Sequence, residues 1–230
     1  HYLVYKFGED ILYLISKNLS QKNSYSIKKA IENSTNMKLD TIFSEYKNNL
    51  ISRYSIINKD LNGKILQKNS NGNFYPKWHP HDRKFAYLSN DGNDFLNQTN
   101  LMVYSFEDSS KKIISKNVYS GPSWSTQGDK IYFSKKSKPD KYGSRWFDIY
   151  FYDFRTKEEN QLTKSSRGFS PLVLDGDSLL AYISTNDGTQ NIYLINLENK
   201  QTKKITNFND GKQITNLSYN SKNRLIMFDY

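Results

Sequence analysis

The 230-residue sequence has no cysteine, only five prolines and only three histidines. Without cysteine, a disulfide framework and thiol chemistry are excluded. The three histidines, His1, His79 and His81, form no His-Glu-x-x-His zinc motif, and no Gly-x-Ser-x-Gly elbow is present. The sequence also lacks the patterns of phosphate-binding and calcium-binding loops. We therefore predict that this chain has no catalytic residue, no cofactor site and no metal site.

Long apolar stretches are also missing. No run of about 18 apolar residues exists, so we predict that no segment spans a membrane. The chain starts at His1 rather than at methionine, and no signal peptide can be read. We therefore expect it to be a segment of a longer protein.

Acidic residues are the minority, with 23 against 33 basic residues and a formal net charge of +10. A basic surface can favour nucleic acid or anionic lipid. Here the composition is rich in lysine and asparagine, and we interpret the charge as spread over loops rather than gathered in one patch. Nucleic acid is therefore not the partner that we predict. Aromatic residues make up 15% of the chain, which is enough for a large β core.

One stretch of about twelve residues recurs along the chain. Its copies begin at Pro76, Pro122, Pro171 and Leu217, and their third residues are Trp78, Trp124, Val173 and Tyr219. These third residues are 46, 49 and 46 positions apart, and each is followed seven positions later by Phe85, Ile131, Leu180 or Ile226. A period of this size is typical of repeated supersecondary units.

Each copy reads as four short strands. A strand that reaches the third residue is followed by a polar turn and then by a continuously apolar strand such as Leu180–Ser184. A third apolar strand and an outer strand complete the unit. Four antiparallel strands in roughly 40–50 residues indicate the blade of a β-propeller. A β-sandwich is the alternative, but it has no reason to repeat Pro-x-Trp at a fixed period.

These motifs resemble the TolB-type propeller repeat over roughly residues 70–230. Pro-x-Trp, the polar turn and the following apolar-aromatic strand match well in the first two copies and loosely later, since Val173 and Tyr219 replace the Trp. The resemblance implies a propeller that is usually six-bladed and commonly periplasmic or secreted. It implies a role in protein contacts or attachment to a peptidase, and a Trp packed between blades.

The repeat predicts where the blades begin and end. We predict a helical segment over 1–52 and a propeller over 53–230. Within the propeller we expect an outer hairpin at 53–69, blades at about 70–117, 118–165 and 166–210, and half a blade at 211–230. Either the hairpin closes a four-bladed ring, which would hide its strand edges, or the chain is part of a six-bladed propeller.

The helical segment shows apolar residues at helical spacing, such as Phe7, Ile11, Leu14 and Ile15. We expect three short helices: one near the N-terminus, a second capped by Ser24 or Ser26, and a third capped by Asp40 with Leu39 as a hydrophobic staple. The order Tyr5-Lys-Phe-Gly, a middle helix, then Leu39-Asp-Thr-Ile-Phe resembles the helical tail of gluzincin metallopeptidases. In such a parent protein the zinc ligands would lie before His1. A generic helical cap is the alternative.

Candidate binding residues lie on one face of the predicted propeller. Loops between the second and third strands emerge on the same side as the connections between blades, and we call this side the loop face. Its longest loop, Lys135–Phe147, carries five basic residues and the aromatic residues Tyr142, Trp146 and Phe147. Exposed aromatic and arginine residues are typical of protein-binding hot spots. We predict partner contacts at Lys141, Tyr142, Arg145 and Trp146. Trp146 and Phe147 can alternatively start the third strand and pack on the next blade.

The His79-Pro-His81 pair resembles half of a metal site, but it falls in a turn of the repeat and no third ligand is visible. We therefore interpret the two histidines as part of the turn.

The sequence favours a non-enzymatic module that binds a protein partner in the cell envelope. The alternative is the non-catalytic C-terminal part of a zinc metallopeptidase.

Overall fold

The computed structural model describes residues 1–20, 26–55 and 63–230. The chain divides into two compact units, His1–Ile65 and Leu66–Tyr230, and each is described by itself. The first unit is helical and the second is built of β-sheets. Of the helices in the described residues, none combines the length and the hydrophobicity that crossing a bilayer requires.

The described part of the helical unit contains four helices rather than the three predicted. They are α1 (Tyr2–Phe7), α2 (Ile11–Ser20), α3 (Ile27–Thr35) and α4 (Leu39–Tyr54). Gly8, whose φ of 92° suits glycine, ends α1 and splits the predicted first helix in two. Ile11 and Ile15 pack against Ala30 in a small core, whereas Leu14 is exposed.

The predicted helix caps are right in part. The Ser26 side chain accepts a hydrogen bond from the backbone N–H of Lys29 and caps α3, while Ser24 lies outside the described residues. The prediction for Asp40 and Leu39 was wrong, because Lys38 is the N-cap of α4 and Leu39 is its first residue. Asp40 instead lies in the first turn, where a negative charge favours the helix dipole.

Fourteen strands are seen in the described part of the sheet unit. They are β1 (Asn73–Trp78), β2 (Lys84–Ser89), β3 (Asn100–Ser105), β4 (Lys111–Ser115), β5 (Val118–Trp124), β6 (Lys130–Lys136), β7 (Phe147–Asp153), β8 (Glu158–Gln161), β9 (Gly168–Leu174), β10 (Leu179–Ser184), β11 (Asn191–Asn196), β12 (Thr202–Lys204), β13 (Thr215–Asn220) and β14 (Leu225–Asp229). They form three antiparallel four-stranded sheets, each in sequence order, and a final two-stranded sheet.

The strand register explains the seven-residue spacing of the repeat. Trp78 lies opposite Phe85, and Trp124 lies opposite Ile131. Val173 and Leu180 pair in the same way, as do Tyr219 and Ile226. The spacing is therefore that of direct cross-strand neighbours on either side of a tight turn. Four-stranded antiparallel sheets repeated in this way are the blades of a partial β-propeller, as predicted.

Neighbouring blades pack face to face through apolar side chains. Between the first and second blades, Leu88 and Leu101 meet Trp124 and Ile131. Between the second and third, Tyr132 and Ile149 meet residues of the third blade that include Leu180, Tyr182 and Ile195. The second strands β2, β6 and β10 are almost wholly buried, which confirms that they are covered on both faces.

Trp78 departs from the expectation that the repeat Trp packs between blades, because 68% of its surface is exposed. Its aromatic contacts among the described residues lie within its own blade, since its ring stacks on Phe106 with ring centroids 5.7 Å apart and meets Phe85 edge-on at the same distance. The physical reason is position, since β1 is the first strand that the structure describes in the sheet unit, and no described blade precedes it.

The predicted outer hairpin at 53–69 is not seen in the described residues. Arg53 and Tyr54 belong to α4, residues 63–69 form no strand, and residues 56–62 lie outside the described part. Apolar residues at helical spacing continue to the end of α4, and that periodicity overrides the strand expected from the repeat. The last blade has only β13 and β14, and within the described residues no other strand pairs with β14.

Candidate functional site

The loop between β6 and β7 is built around one aspartate. The Oδ1 atom of Asp140 accepts hydrogen bonds from the backbone N–H of Tyr142 at 2.8 Å and of Ser144 at 2.9 Å. The backbone N–H of Gly143 donates to the Asp140 carbonyl at 3.0 Å. Gly143 has a φ of +81°, which only glycine adopts without strain. The loop therefore holds its shape through its own hydrogen bonds.

The base of this loop is also closed by hydrogen bonds. The backbone N–H of Ser137 donates to the Trp146 carbonyl at 2.7 Å, and the Ser137 hydroxyl accepts from the N–H of Trp146 at 3.1 Å. At the tip, 80% of Tyr142 is exposed, and the Lys141 ammonium lies 4.8 Å from its ring centroid. Two of the four predicted contact residues thus project from an ordered loop.

The other two predicted residues, Arg145 and Trp146, line a concave cavity of about 780 Å³ on the loop face, which we call the loop-face cavity. Loops from two blades meet there with connections between blades. Its lining includes Tyr119, Arg167, Phe169, Thr185, Gln190 and Gln213. The structure therefore brings Arg145 and Trp146 together, while Lys141 and Tyr142 belong to the loop tip and not to the cavity wall.

Trp146 is half-buried and in contact with an arginine of the next connection. The guanidinium carbon of Arg167 lies 4.6 Å from the Trp146 ring centroid, which is the geometry of a cation–π contact. Phe147 begins β7, as the alternative interpretation expected, but Trp146 lies just before the strand, and the Phe147 ring lies 4.3 Å from that of Tyr119 on β5 of the same blade rather than on the neighbouring blade. These contacts cover part of the aromatic surface of the cavity.

A buried carboxylate positions the connection that carries Arg167. Asp148 is fully buried, and its carboxylate accepts hydrogen bonds from the backbone N–H groups of Ser165 at 3.0 Å and Ser166 at 2.8 Å. It also accepts from the hydroxyls of Ser166 and Thr163 at 2.9 and 3.0 Å. Several donors on one buried carboxylate fix this short segment of backbone.

Sequence reasoning missed both Arg167 and Asp148. A signal for Asp148 was present, because a buried polar residue is the first or second residue of the third strand in each of the three described four-stranded blades, at Asn100, Asp148 and Asn191. Asn191 anchors the following connection in the same way, since its Oδ1 atom accepts from Thr206 at 3.0 Å and from the N–H of Phe208 at 2.8 Å. No comparable pattern marks Arg167.

The two histidines of the first turn lie at the opposite ends of the strands and connect two blades. The Nε2 atom of His79 is 3.0 Å from the Gly128 carbonyl, and Nε2 of His81 is 2.9 Å from the Thr126 carbonyl. The Nδ1 atom of His79 accepts from the N–H of Asp82 at 2.8 Å, so His79 is held as the neutral tautomer with its proton on Nε2. Burial lowers the pKa of His79 below its ordinary value. Both side chains thus link the first blade to the second.

Comparison with known proteins identifies the fold. No family model and no curated protein sequence matches the chain. Among solved structures, TolB from Acinetobacter baumannii matches with a TM-score of 0.54 and 19% identity, covering 68% of this chain and 37% of that one. An oligogalacturonate lyase from Vibrio parahaemolyticus matches with a TM-score of 0.50 and 16% identity, covering 67% of this chain and 45% of the lyase.

A Bacteroides thetaiotaomicron protein of unknown function also matches, with a TM-score of 0.53 and 10% identity, covering 72% of this chain and 40% of the other. This chain therefore has a TolB-like propeller fold and spans less than half the length of each of these proteins. At such identities the likeness shows the fold alone. Since TolB and a lyase share that fold, it does not assign an activity.

Proposed function

We propose that this chain is a non-enzymatic β-propeller module that binds a protein partner through its loop face, with contacts at Lys141, Tyr142, Arg145 and Trp146. The observation that carries the proposal is the ordered loop 137–146. A loop whose backbone is held in place by hydrogen bonds loses little conformational entropy on binding, and this loop presents the exposed Tyr142, which favours a hot spot.

The contacts of the candidate catalytic groups support a non-enzymatic role. Both ring nitrogens of His79 contact backbone groups, so His79 is not poised to accept a proton from a substrate, and His81 contacts the Thr126 carbonyl through Nε2. The buried carboxylate of Asp148, which positions the connection that carries Arg167, is likewise occupied by backbone and hydroxyl donors. These contacts support a role in binding rather than in proton transfer.

A periplasmic or secreted location is part of the proposal and rests on the resemblance of the repeat to the TolB type. The shared fold of TolB from Acinetobacter baumannii is consistent with it. In that setting the absence of cysteine leaves no thiol that could form a wrong disulfide.

An alternative function is favoured by the helical unit. Its helices leave Tyr5, Leu12 and Phe43 largely exposed around an apolar groove of about 1040 Å³. Exposed apolar surface of this kind marks an interaction site. In the alternative, the chain is the non-catalytic C-terminal part of a zinc metallopeptidase, and this groove contacts the catalytic domain.

A His-Glu-x-x-His helix encoded upstream of His1 would favour this alternative, and a parent reading frame without one would exclude it.

The binding proposal is tested by crosslinking in the cells that make the protein. A photo-crosslinking amino acid replaces Tyr142 at the loop tip or, as a matched control, the exposed Thr156 at the other end of β7. We expect a discrete crosslinked protein from position 142 and none from position 156. Equal crosslinking from both positions, or none from position 142, would contradict a partner on the loop face.

A further inference from the structure

The loop-face cavity contains two arginines and no acidic residue. Arg145 and Arg167 both contribute to its lining, where no aspartate or glutamate is found. In the part of the chain that the structure describes, neither guanidinium lies within 4.0 Å of a carboxylate oxygen, whereas Arg155 and Arg224 each form an ion pair. Two arginines that face a cavity without an acidic neighbour favour an anionic ligand.

Arg167 is held in a backbone conformation that costs energy. Its φ of 48° lies in the left-handed region, which residues other than glycine rarely adopt. The surrounding hydrogen bonds maintain it, because the Ser134 hydroxyl donates to the Gly168 carbonyl at 2.7 Å and the Ser184 hydroxyl donates to the Ser166 carbonyl at 2.6 Å. These bonds fix the backbone from which the Arg167 side chain extends.

The chemistry of the cavity favours carboxylates. An arginine guanidinium presents paired N–H donors that match the two oxygens of a carboxylate. The guanidinium of Arg167 lies against the Trp146 ring, which supports it from one side. Gln190 adds an amide donor, since its Oε1 atom already accepts from the backbone N–H of Ile214 at 2.6 Å and leaves its NH₂ group for a ligand.

The polar groups and the aromatic rings of the cavity bear on the class of anionic ligand. Acidic sugars and nucleic-acid bases bind by stacking on open aromatic faces. Here Arg167 covers one face of Trp146 and the rings of Phe147 and Tyr119 lie 4.3 Å apart, which leaves the exposed ring of Tyr75 as the main stacking surface in the lining. A peptide needs no open ring, because its carboxylates and backbone carbonyls can meet the arginines and the glutamine directly.

We propose that the loop-face cavity binds an acidic peptide segment of the protein partner, with carboxylate side chains on Arg145 and Arg167. This inference rests on the proposed function and names the chemistry of the partner. The loop tip with Lys141 and Tyr142 then contacts the partner beside this segment.

Binding of fluorescein-labelled synthetic peptides to the full chain tests the inference. The probe is a decapeptide of alternating glutamate and serine, and its control carries glutamine in place of glutamate. We expect the glutamate peptide to bind at least about tenfold more tightly than the glutamine peptide, as charge-assisted hydrogen bonds imply. Equal binding of the two peptides, or tighter binding of an oligogalacturonate of similar charge, would overturn the inference.

Variants assign the binding to the two arginines. The double variant Arg145→Gln/Arg167→Gln is compared with Lys112→Gln/Lys203→Gln, which removes the same charge from exposed positions on the outer strands β4 and β12. We expect about a tenfold loss of affinity in the first and less than a twofold change in the second. Equal losses of affinity would show that binding depends on net charge alone, and they would contradict a binding site at the two arginines.

A loss of binding must be distinguished from a loss of folding in these variants. Arg145 is exposed, so Arg145→Gln alone keeps the test valid if the double variant unfolds at a lower temperature. We expect at least about a threefold loss for this single variant, and an unchanged affinity would contradict the proposal. Crosslinking from position 142 combined with no preference for the acidic peptide would refute this inference while leaving the proposed function standing.

Discussion

Trp78 and Trp124 occupy the same position in two copies of one repeat, yet 68% of Trp78 and 8% of Trp124 is exposed. Trp124 lies between two blades, where its ring meets that of His79 at 4.7 Å and its Nε1–H donates to the Lys77 carbonyl at 3.1 Å. The aromatic contacts of Trp78 in the described part of the chain are with Phe85 and Phe106 of its own blade. The motif therefore directs the ring towards the preceding blade, and the presence of that blade determines what the ring contributes to stability.

The largest expected effect is that of Trp124→Ala. Removing a buried tryptophan leaves a cavity between two blades, and we expect a loss of about 3–5 kcal/mol in the free energy of unfolding. Trp78→Ala should cost less than about 1.5 kcal/mol, because it removes only partly exposed aromatic contacts. Urea denaturation of both variants measures the difference. Equal losses would contradict a difference due to burial.

Two glycines allow the same comparison, because Gly128 lies at a contact between two blades and Gly143 lies in a loop. Gly128 has a φ of +74°, and a Cβ there would lie 2.0 Å from Nε2 of His79. Gly143 has a φ of +81°, but a Cβ there would meet nothing within 4 Å. We expect Gly143→Ala to cost about 1 kcal/mol for the left-handed backbone, and Gly128→Ala to cost about 2–4 kcal/mol because it also displaces the histidine. Thermal denaturation of the two variants distinguishes the outcomes, and equal costs would show that the histidine moves freely.

Asp148 contrasts with Asn191, which anchors the corresponding connection of the next blade. Asp148→Ala leaves the backbone N–H groups of Ser165 and Ser166 without their acceptor, and we expect a loss of about 2–3 kcal/mol. Asp148→Asn should cost less, because an amide oxygen can still accept one of these bonds and asparagine fills this position in the third blade. Amide hydrogen exchange of residues 164–168 would report the change. Protection unaltered by Asp148→Ala would contradict the anchoring role.

The smallest expected effect is a pH dependence at the contact between the first two blades. Burial lowers the pKa of His79 in the folded protein, while in the unfolded chain it stays near 6.5. The unfolded state therefore takes up the proton first, and the stability that neutral His79 contributes is complete above about pH 6.5 and lost as the pH falls below it. We expect the free energy of unfolding to fall between pH 7 and pH 5 in the wild type and to change less in His79→Gln. Parallel pH profiles would exclude His79 as the cause.

Much of the sheet unit could be predicted because it is encoded locally. The pairing of Trp124 with Ile131 follows from a tight turn and a fixed spacing, which a sequence records directly. The exposure of Trp78 could not be predicted, because it depends on whether a blade stands before β1. The break at Gly8 was missed because the apolar spacing continues across it, although a glycine at this place can take the φ of 92° that ends α1.

The candidate site could be predicted only in part. The aromatic and basic residues of the loop at 135–147 were visible as a composition, and the structure places Arg145 and Trp146 in one cavity. Arg167 belongs to a different connection and contacts Trp146 only in the folded protein. Its left-handed backbone conformation could not be predicted either, because no local sequence motif indicates it. Contacts between blades of this kind depend on tertiary structure, which the repeat pattern does not record.

The central claim is that the blades form the scaffold while the loop face binds, and Trp146→Ala tests it most directly. Trp146 is half-buried beside the cavity, so we expect a loss of stability below about 1.5 kcal/mol, which for a protein of this size lowers the unfolding midpoint by only a few degrees. In the same variant, crosslinking from position 142 should fall sharply. A midpoint lowered as far as in Trp124→Ala, with crosslinking unchanged, would assign Trp146 to packing and contradict the account.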